Sequence, residues 1–120
     1  MGFRKMVKGL TKSMEELEQE RLSERFGDLD LGQASLCDCP LRRRVRVTGE
    51  VKGLRVVPRA GSPWLEAVVD DGTGQAVVMF TGRRRIRGLD PGRGVILEGV
   101  ARNERGRITM MNPTYTLLPG

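Results

Sequence analysis

The sequence predicts a mainly β domain of five short strands carrying an N-terminal α-helical extension. From residue 41 onward apolar and polar residues alternate in short runs, the period of half-buried strands. The 16 Gly and 6 Pro are frequent enough to turn the chain between such strands. Ahead of residue 30 the apolar spacing is three and four instead, the period of a helix.

Taken in order, Phe3, Val7, Leu10, Met14 and Leu17 make one apolar stripe within a helical segment spanning 1–30. Ser13-Met14-Glu15-Glu16 has the form of a capping box, so a helix is expected to start at Met14, with Gly27 as its stop. The stretch from Asp28 to Pro40 has no periodicity and reads as a linker. That places the charged extension at 1–39 and the β domain at 40–120. Val45, Val47 and Val51 share one parity, which flips to Leu54 and Val56 after Gly53, as a bent and bulged first strand requires. Pro58 to Pro63 reads as a loop. The second strand is predicted from Trp64 to Asp70, the turn at Asp71-Gly72-Thr73-Gly74, and the third strand from Gln75 to Phe80. Gly82 to Leu89 is basic and does not alternate, and is predicted as a helical turn. After Asp90-Pro91-Gly92 comes a fourth strand, Val95 to Arg102, and then a hairpin connection at Asn103-Glu104-Arg105-Gly106. Arg107 to Met111 is the fifth strand, with Pro113 to Leu118 extending it or packing beside it.

Four segments carry a family resemblance. Val47-Thr48-Gly49-Glu50-Val51 resembles the opening strand of OB domains of the tRNA-anticodon-binding type and of the wedge domain of RecG helicases. Val69-Asp70-Asp71-Gly72-Thr73-Gly74 resembles their exit from the second strand. Leu89-Asp90-Pro91-Gly92 with Val95 to Gly99 resembles their fourth strand, and Met110-Met111-Asn112-Pro113-Thr114-Tyr115 resembles the end of the wedge domain. The resemblance spans 44–118 and implies a five-stranded OB-fold Greek-key barrel. A charged helix followed by one such domain also looks like small stand-alone OB proteins of bacteria.

Charge is distributed unevenly. Net charge is +6, but residues 40–120 hold fifteen basic and seven acidic side chains, a balance of +8, against −2 for 1–39. Such asymmetry points to an anionic partner; charge that merely keeps the chain soluble is the plainer alternative. Of the 21 basic residues 17 are Arg, whose planar fork suits phosphates and base edges.

The OB resemblance implies where a nucleic acid would bind: across strands two and three, between the first-to-second and fourth-to-fifth strand loops. Carried onto this chain, the first loop holds Arg59, with Arg55 near it. The second holds Arg105, flanked by Arg102 and Arg107. Trp64 suits either a stacking platform or a plug for the barrel end. Arg83, Arg84 and Arg85 form the densest cationic run and suit either a phosphate backbone or a solvated face. Aromatics are only 4 % of the chain, so the expected binding is phosphate-directed and weakly sequence-specific. The expected ligand is single-stranded or branched DNA, or RNA. A protein-interaction adaptor, or self-association, working through residues 1–26 and a barrel face is the alternative.

Other classes have little support. The chain has no His, the commonest general base, and adjacent strand residues Asp70 and Asp71 point to opposite faces. An enzyme is therefore not expected, nor any cofactor. Cys37 and Cys39 lack the further ligands of a structural zinc site and read as reduced thiols. No apolar run reaches the length of a membrane span and no signal peptide opens the chain, so a cytoplasmic setting is expected. Phe3, Met6, Val7 and Leu10 interleave with Arg4, Lys5, Lys8 and Lys12 in the pattern of a peripheral membrane contact, but a membrane is not an expected partner.

Overall fold

A computed structural model describes residues 13–27 and 34–119. The apolar stripe from Phe3 to Leu10 and residues 28–33 of the expected linker lie outside the described residues. Helix α1 spans Met14–Gly27. It begins as the capping box requires, with the Glu16 N–H donating to Ser13 Oγ at 3.0 Å.

The face that α1 buries is not the predicted one. Leu22 and Phe26, one turn apart, are buried, whereas Met14 and Leu17 are exposed. The reason lies in the docking surface, which meets the second half of the helix. A Cβ on Gly72 (φ +89°) would stand 2.9 Å from both the Gln19 carbonyl oxygen and Ser23 Oγ, so the helix rests against a turn that only glycine leaves open. Beside it, the buried Glu50 carboxylate accepts hydrogen bonds from Arg21 (2.6 Å), Arg25 and Lys52 (2.9 Å), and Lys52 also bonds Glu18.

The strands are β1 (Arg44–Arg59), β2 (Ser62–Asp70), β3 (Gln75–Thr81), β4 (Gly94–Glu104), β5 (Arg107–Met111) and β6 (Thr114–Leu117). All five expected strands are present. The C-terminal segment packs beside β4 as a short sixth strand and does not extend β5. Long β1 serves both halves of the barrel: residues 44–50 pair with β4, and 50–59 pair with β2. The sheet closes in the order β1-β2-β3-β5-β4 with β4 back on β1, and β3 and β5 run parallel. The parity flip of β1 is a bulge. Val51 and Gly53 face consecutive β2 residues, which leaves Lys52 outside the ladder and free to meet the helix.

Three expected connections differ. Pro58 to Pro63 is not a loop but the tip of a β1–β2 ribbon, turned at Ala60-Gly61 with φ of +48° and +75°. The prolines fit because Arg59↔Ser62 closes the turn, which makes Pro58↔Pro63 the non-hydrogen-bonded pair, where no N–H is required. Residues 82–89 form no helical turn. Gly82 (φ +72°) and Gly88 (φ +84°) break the backbone at both ends, and too few residues lie between them to nucleate a helix. Ile86 and Leu89 still plug the core from this connection. Finally, residues 34–40 are not a bare linker. A 3-10 turn at Leu36–Asp38 buries Leu36 in the core, and its N–H groups donate to Asp71 Oδ2 (2.9 Å, from Leu36) and Thr73 Oγ1 (3.2 Å, from Cys37).

Inside the barrel Val47, Val51, Val78, Val95, Leu97 and Met110 are almost wholly buried. Phe80 and Tyr115 meet edge to face with ring centroids 5.7 Å apart, closing one side. At Gly49 the strands pass so closely that an added Cβ would sit 2.6 Å from Val69 Cγ1 and 2.9 Å from the Asp70 carbonyl oxygen. Gly49→Ala is therefore expected to cost about 1–3 kcal/mol by overpacking, read as a lowered urea midpoint. An unchanged midpoint would show that β1 and β2 separate freely here.

Candidate functional site

Strand alternation decides which side chains leave the core. In β3, Ala76, Val78 and Phe80 point inward, so Val77 and Met79 point out, yet both are also buried. They form the floor of a groove of about 620 Å³, with Glu66 of β2 and Thr109 of β5 beside them. The β1–β2 ribbon supplies one wall through Arg55 and Arg59. The β4–β5 hairpin supplies the other through Glu104, Arg105 and Arg107. That hairpin turns on Arg105 and Gly106, at φ of +54° and +81°, and the Gly106 N–H donates to Asn103 Oδ1 at 2.9 Å. The turn lifts Arg105 clear of the sheet.

The four arginines differ in their surroundings. Arg55 Nε and Nη2 donate to Glu66 Oε1 and Oε2 at 3.1 and 3.3 Å. The Arg59 guanidinium lies 5.0 Å from the centre of the Trp64 ring, within cation–π range. Trp64 is half-buried on the outer face of β2 near the ribbon tip, outside the barrel core, so it is not a plug. Arg59, Arg105 and Arg107 have no carboxylate partner among the described residues.

Arg55, Arg59, Arg105 and Arg107 therefore converge, with Trp64 beneath Arg59. Arg102 does not join them: it lines a neighbouring hollow with Leu41, Arg42 and Val100. Arg84 and Arg85 line another hollow with Leu54, Val56 and Ile86, which meets the groove at Arg55, and Arg83 is exposed on the same connection. Sequence reasoning missed Glu66, Glu104, Val77, Met79 and Thr109. One signal was available: Ala76 to Phe80 is apolar without a break, the mark of a strand covered on both faces.

Elsewhere, polar clusters are accounted for structurally. Asp70 Oδ1 accepts from the Gly72 N–H, while Asp71 Oδ1 accepts from the N–H groups of Thr73 and Gly74, so both carboxylates brace the β2–β3 turn. Cys37 and Cys39 are free thiols, and burial, helped by the nearby Asp71 charge, pushes the Cys39 thiol up. Among the described residues no group of His, Cys, Asp and Glu is placed to hold a metal ion. No described helix is long and apolar enough to cross a membrane.

A closed barrel with this strand order and a cationic groove over β2, β3 and β5 defines an OB-fold binding domain. Residues 45–118 match the tRNA anticodon family, described as the OB-fold nucleic acid binding domain, and the chain belongs to that family. No curated protein sequence matches it. Among solved structures it is similar to the OB domain of Ta0387 from Thermoplasma acidophilum, with 14% identity and a TM-score of 0.55 over 72% of this chain and 86% of that one. It is also similar to a chain of the Replication Protein A heterotrimer bound to ssDNA, with 15% identity and a TM-score of 0.51 over 78% of this chain and 70% of that one. At such identities the likeness is one of fold.

Proposed function

We propose that this protein is a non-catalytic module that binds single-stranded or branched nucleic acid in the groove between the β1–β2 ribbon and the β4–β5 hairpin. One observation carries this: Arg59, Arg105 and Arg107, free of carboxylate partners among the described residues, rim an apolar floor of Val77 and Met79. Phosphates would meet the arginines, and bases would lie on the floor. With Trp64, against Arg59, the one ring at the groove among the described residues, stacking contributes little and the affinity is chiefly electrostatic. Nucleic acid as the ligand accords with a cytoplasmic setting. The adaptor alternative would have to use Met14 and Leu17, the exposed apolar residues of α1, because Leu22 and Phe26 are already buried.

Fluorescence anisotropy with labelled single-stranded DNA, single-stranded RNA and a forked duplex across a salt series tests the proposal. Three phosphate contacts on a single strand predict that the logarithm of affinity falls with the logarithm of salt at a slope of about −2. Absence of binding to all three probes at low salt would overturn it.

A further inference from the structure

Resting on the nucleic-acid reading, we propose that Arg55 is the base reader of the groove and that the base it selects is guanine. Arg55 and Glu66 are direct cross-strand partners on the outer face of β1 and β2. Their side chains differ sharply in exposure, 71% for Arg55 and 8% for Glu66, so a buried carboxylate holds a guanidinium that stands in the open. The contact uses one defined edge. Nε and Nη2 donate to the two carboxylate oxygens, which occupies the side of the guanidinium and leaves its end, Nη1 with the second N–H of Nη2, unbonded.

That arrangement suits a base better than a phosphate. Glu66 neutralises the Arg55 charge locally, which weakens its pull on a phosphate relative to Arg59, Arg105 and Arg107. It also fixes the plane of the fork, and a rigid two-donor fork recognises two adjacent acceptors. Guanine offers O6 and N7 in that form. Adenine places an amino donor beside N7, and thymine and uracil separate their carbonyl oxygens with an N–H. Cytosine also has two adjacent acceptors, O2 and N3, but O2 sits beside the nitrogen that carries the sugar, whereas guanine presents O6 and N7 on its open edge. The pair thus divides the labour of the groove: three arginines hold the backbone, and the fourth reads one base.

The test measures anisotropy of the full chain with thymidine oligomers carrying one central guanosine, adenosine, cytidine or 7-deazaguanosine. The guanosine probe is expected to bind roughly tenfold more tightly than the adenosine probe and the unsubstituted oligomer. Replacing N7 in 7-deazaguanosine removes that preference. Arg55→Lys keeps the charge but not the fork, so it abolishes the preference and leaves the salt slope unchanged. Glu66→Gln frees the arginine, which lowers the preference and raises affinity for every probe. Arg105→Asn is the counterpart: the preference stays and the slope falls by about one. Equal binding of all probes by the unaltered protein, tighter binding of cytidine than of guanosine, or a guanosine preference that survives Arg55→Lys, would overturn the assignment while leaving the nucleic-acid function intact. Failure to bind any probe would instead overturn that function.

Discussion

Combining Arg59→Ala, Arg105→Asn and Arg107→Ala is expected to lower affinity for single-stranded nucleic acid by roughly a hundredfold at low salt and nearly to abolish its salt dependence. Each charged contact to a phosphate is worth about 1 kcal/mol once exchange with water is counted, so three together give about two powers of ten. Asparagine is chosen at Arg105 because that residue holds φ at +54°, which asparagine tolerates and alanine does not. The control is a triple alanine substitution at Arg83, Arg84 and Arg85. It removes the same charge from the β3–β4 connection, whose Arg84 and Arg85 border Arg55 but do not line the groove. Those charges act only through the long-range field, which is screened within about 8 Å at physiological salt. A few-fold loss at low salt that vanishes at physiological salt is the expected result. Equal losses from the two triples would mean that net charge binds the ligand, not the groove.

Glu50→Ala is expected to release α1 from the barrel and to cost about 2 kcal/mol. Abandoning a buried charge typically costs about 3–5 kcal/mol. Here the side chains left behind, Arg21, Arg25 and Lys52, are all partly exposed and regain water, which reduces the loss. Limited trypsin digestion at Arg21 and Arg25 reads the release directly, and urea unfolding reads the stability. Unchanged digestion would show that Leu22 and Phe26 hold the helix alone.

The same network sets an acid limit. Burial by itself would raise the Glu50 carboxyl, but hydrogen bonds from Arg21 and Lys52 outweigh it and hold the group below its usual range. Hydrogen bonds from Arg21 and Lys52 draw the exposed Glu18 carboxyl from 4.5 down to about 2. Both groups have depressed values in the folded state. Their stabilisation is therefore complete above about pH 4.5 and is lost as the pH falls below it, in the case of Glu18 towards about 2. Lys52 is shifted the other way, upward, since its hydrogen bonds to Glu18 and Glu50 exceed the penalty of burial. Its contribution is present below its usual value of 10.5 and is lost only above it. Helix release should thus appear as an acid transition in cleavage by pepsin, an acid-active protease, at Leu22 and Phe26, which the docked helix buries, and Glu50→Ala should flatten it.

Much of this protein could be read from the order of its residues. Ser13 announced the start of α1, and the parity change after Gly53 announced the bulge in β1. The glycines and prolines punctuated the strands closely enough for the barrel to be recognised. These signals are local: a cap, a period and a turn depend on neighbours a few positions apart. The convergence of Arg55 and Arg59 with Arg105 and Arg107 was foreseen only through the resemblance to OB domains. Arg102 and the Arg83 to Arg85 run, alike in composition, proved to face elsewhere.

What the tertiary structure alone decided is non-local. The helix buries Leu22 and Phe26 in place of Met14 and Leu17 because the complementary surface, Glu50 of β1 and Gly72 of the β2–β3 turn, is distant in sequence. Leu36, in a segment without periodicity, enters the core because Asp71 and Thr73 capture its turn. Of the groove itself, the residue types were visible, but Glu66 became informative only when strand pairing set it opposite Arg55. The sequence determined the barrel and its positive charge, because strand period, turn chemistry and charge are properties of the chain. Which arginines share a groove and which edge of each is free were settled by register and burial, which exist only once the barrel has closed.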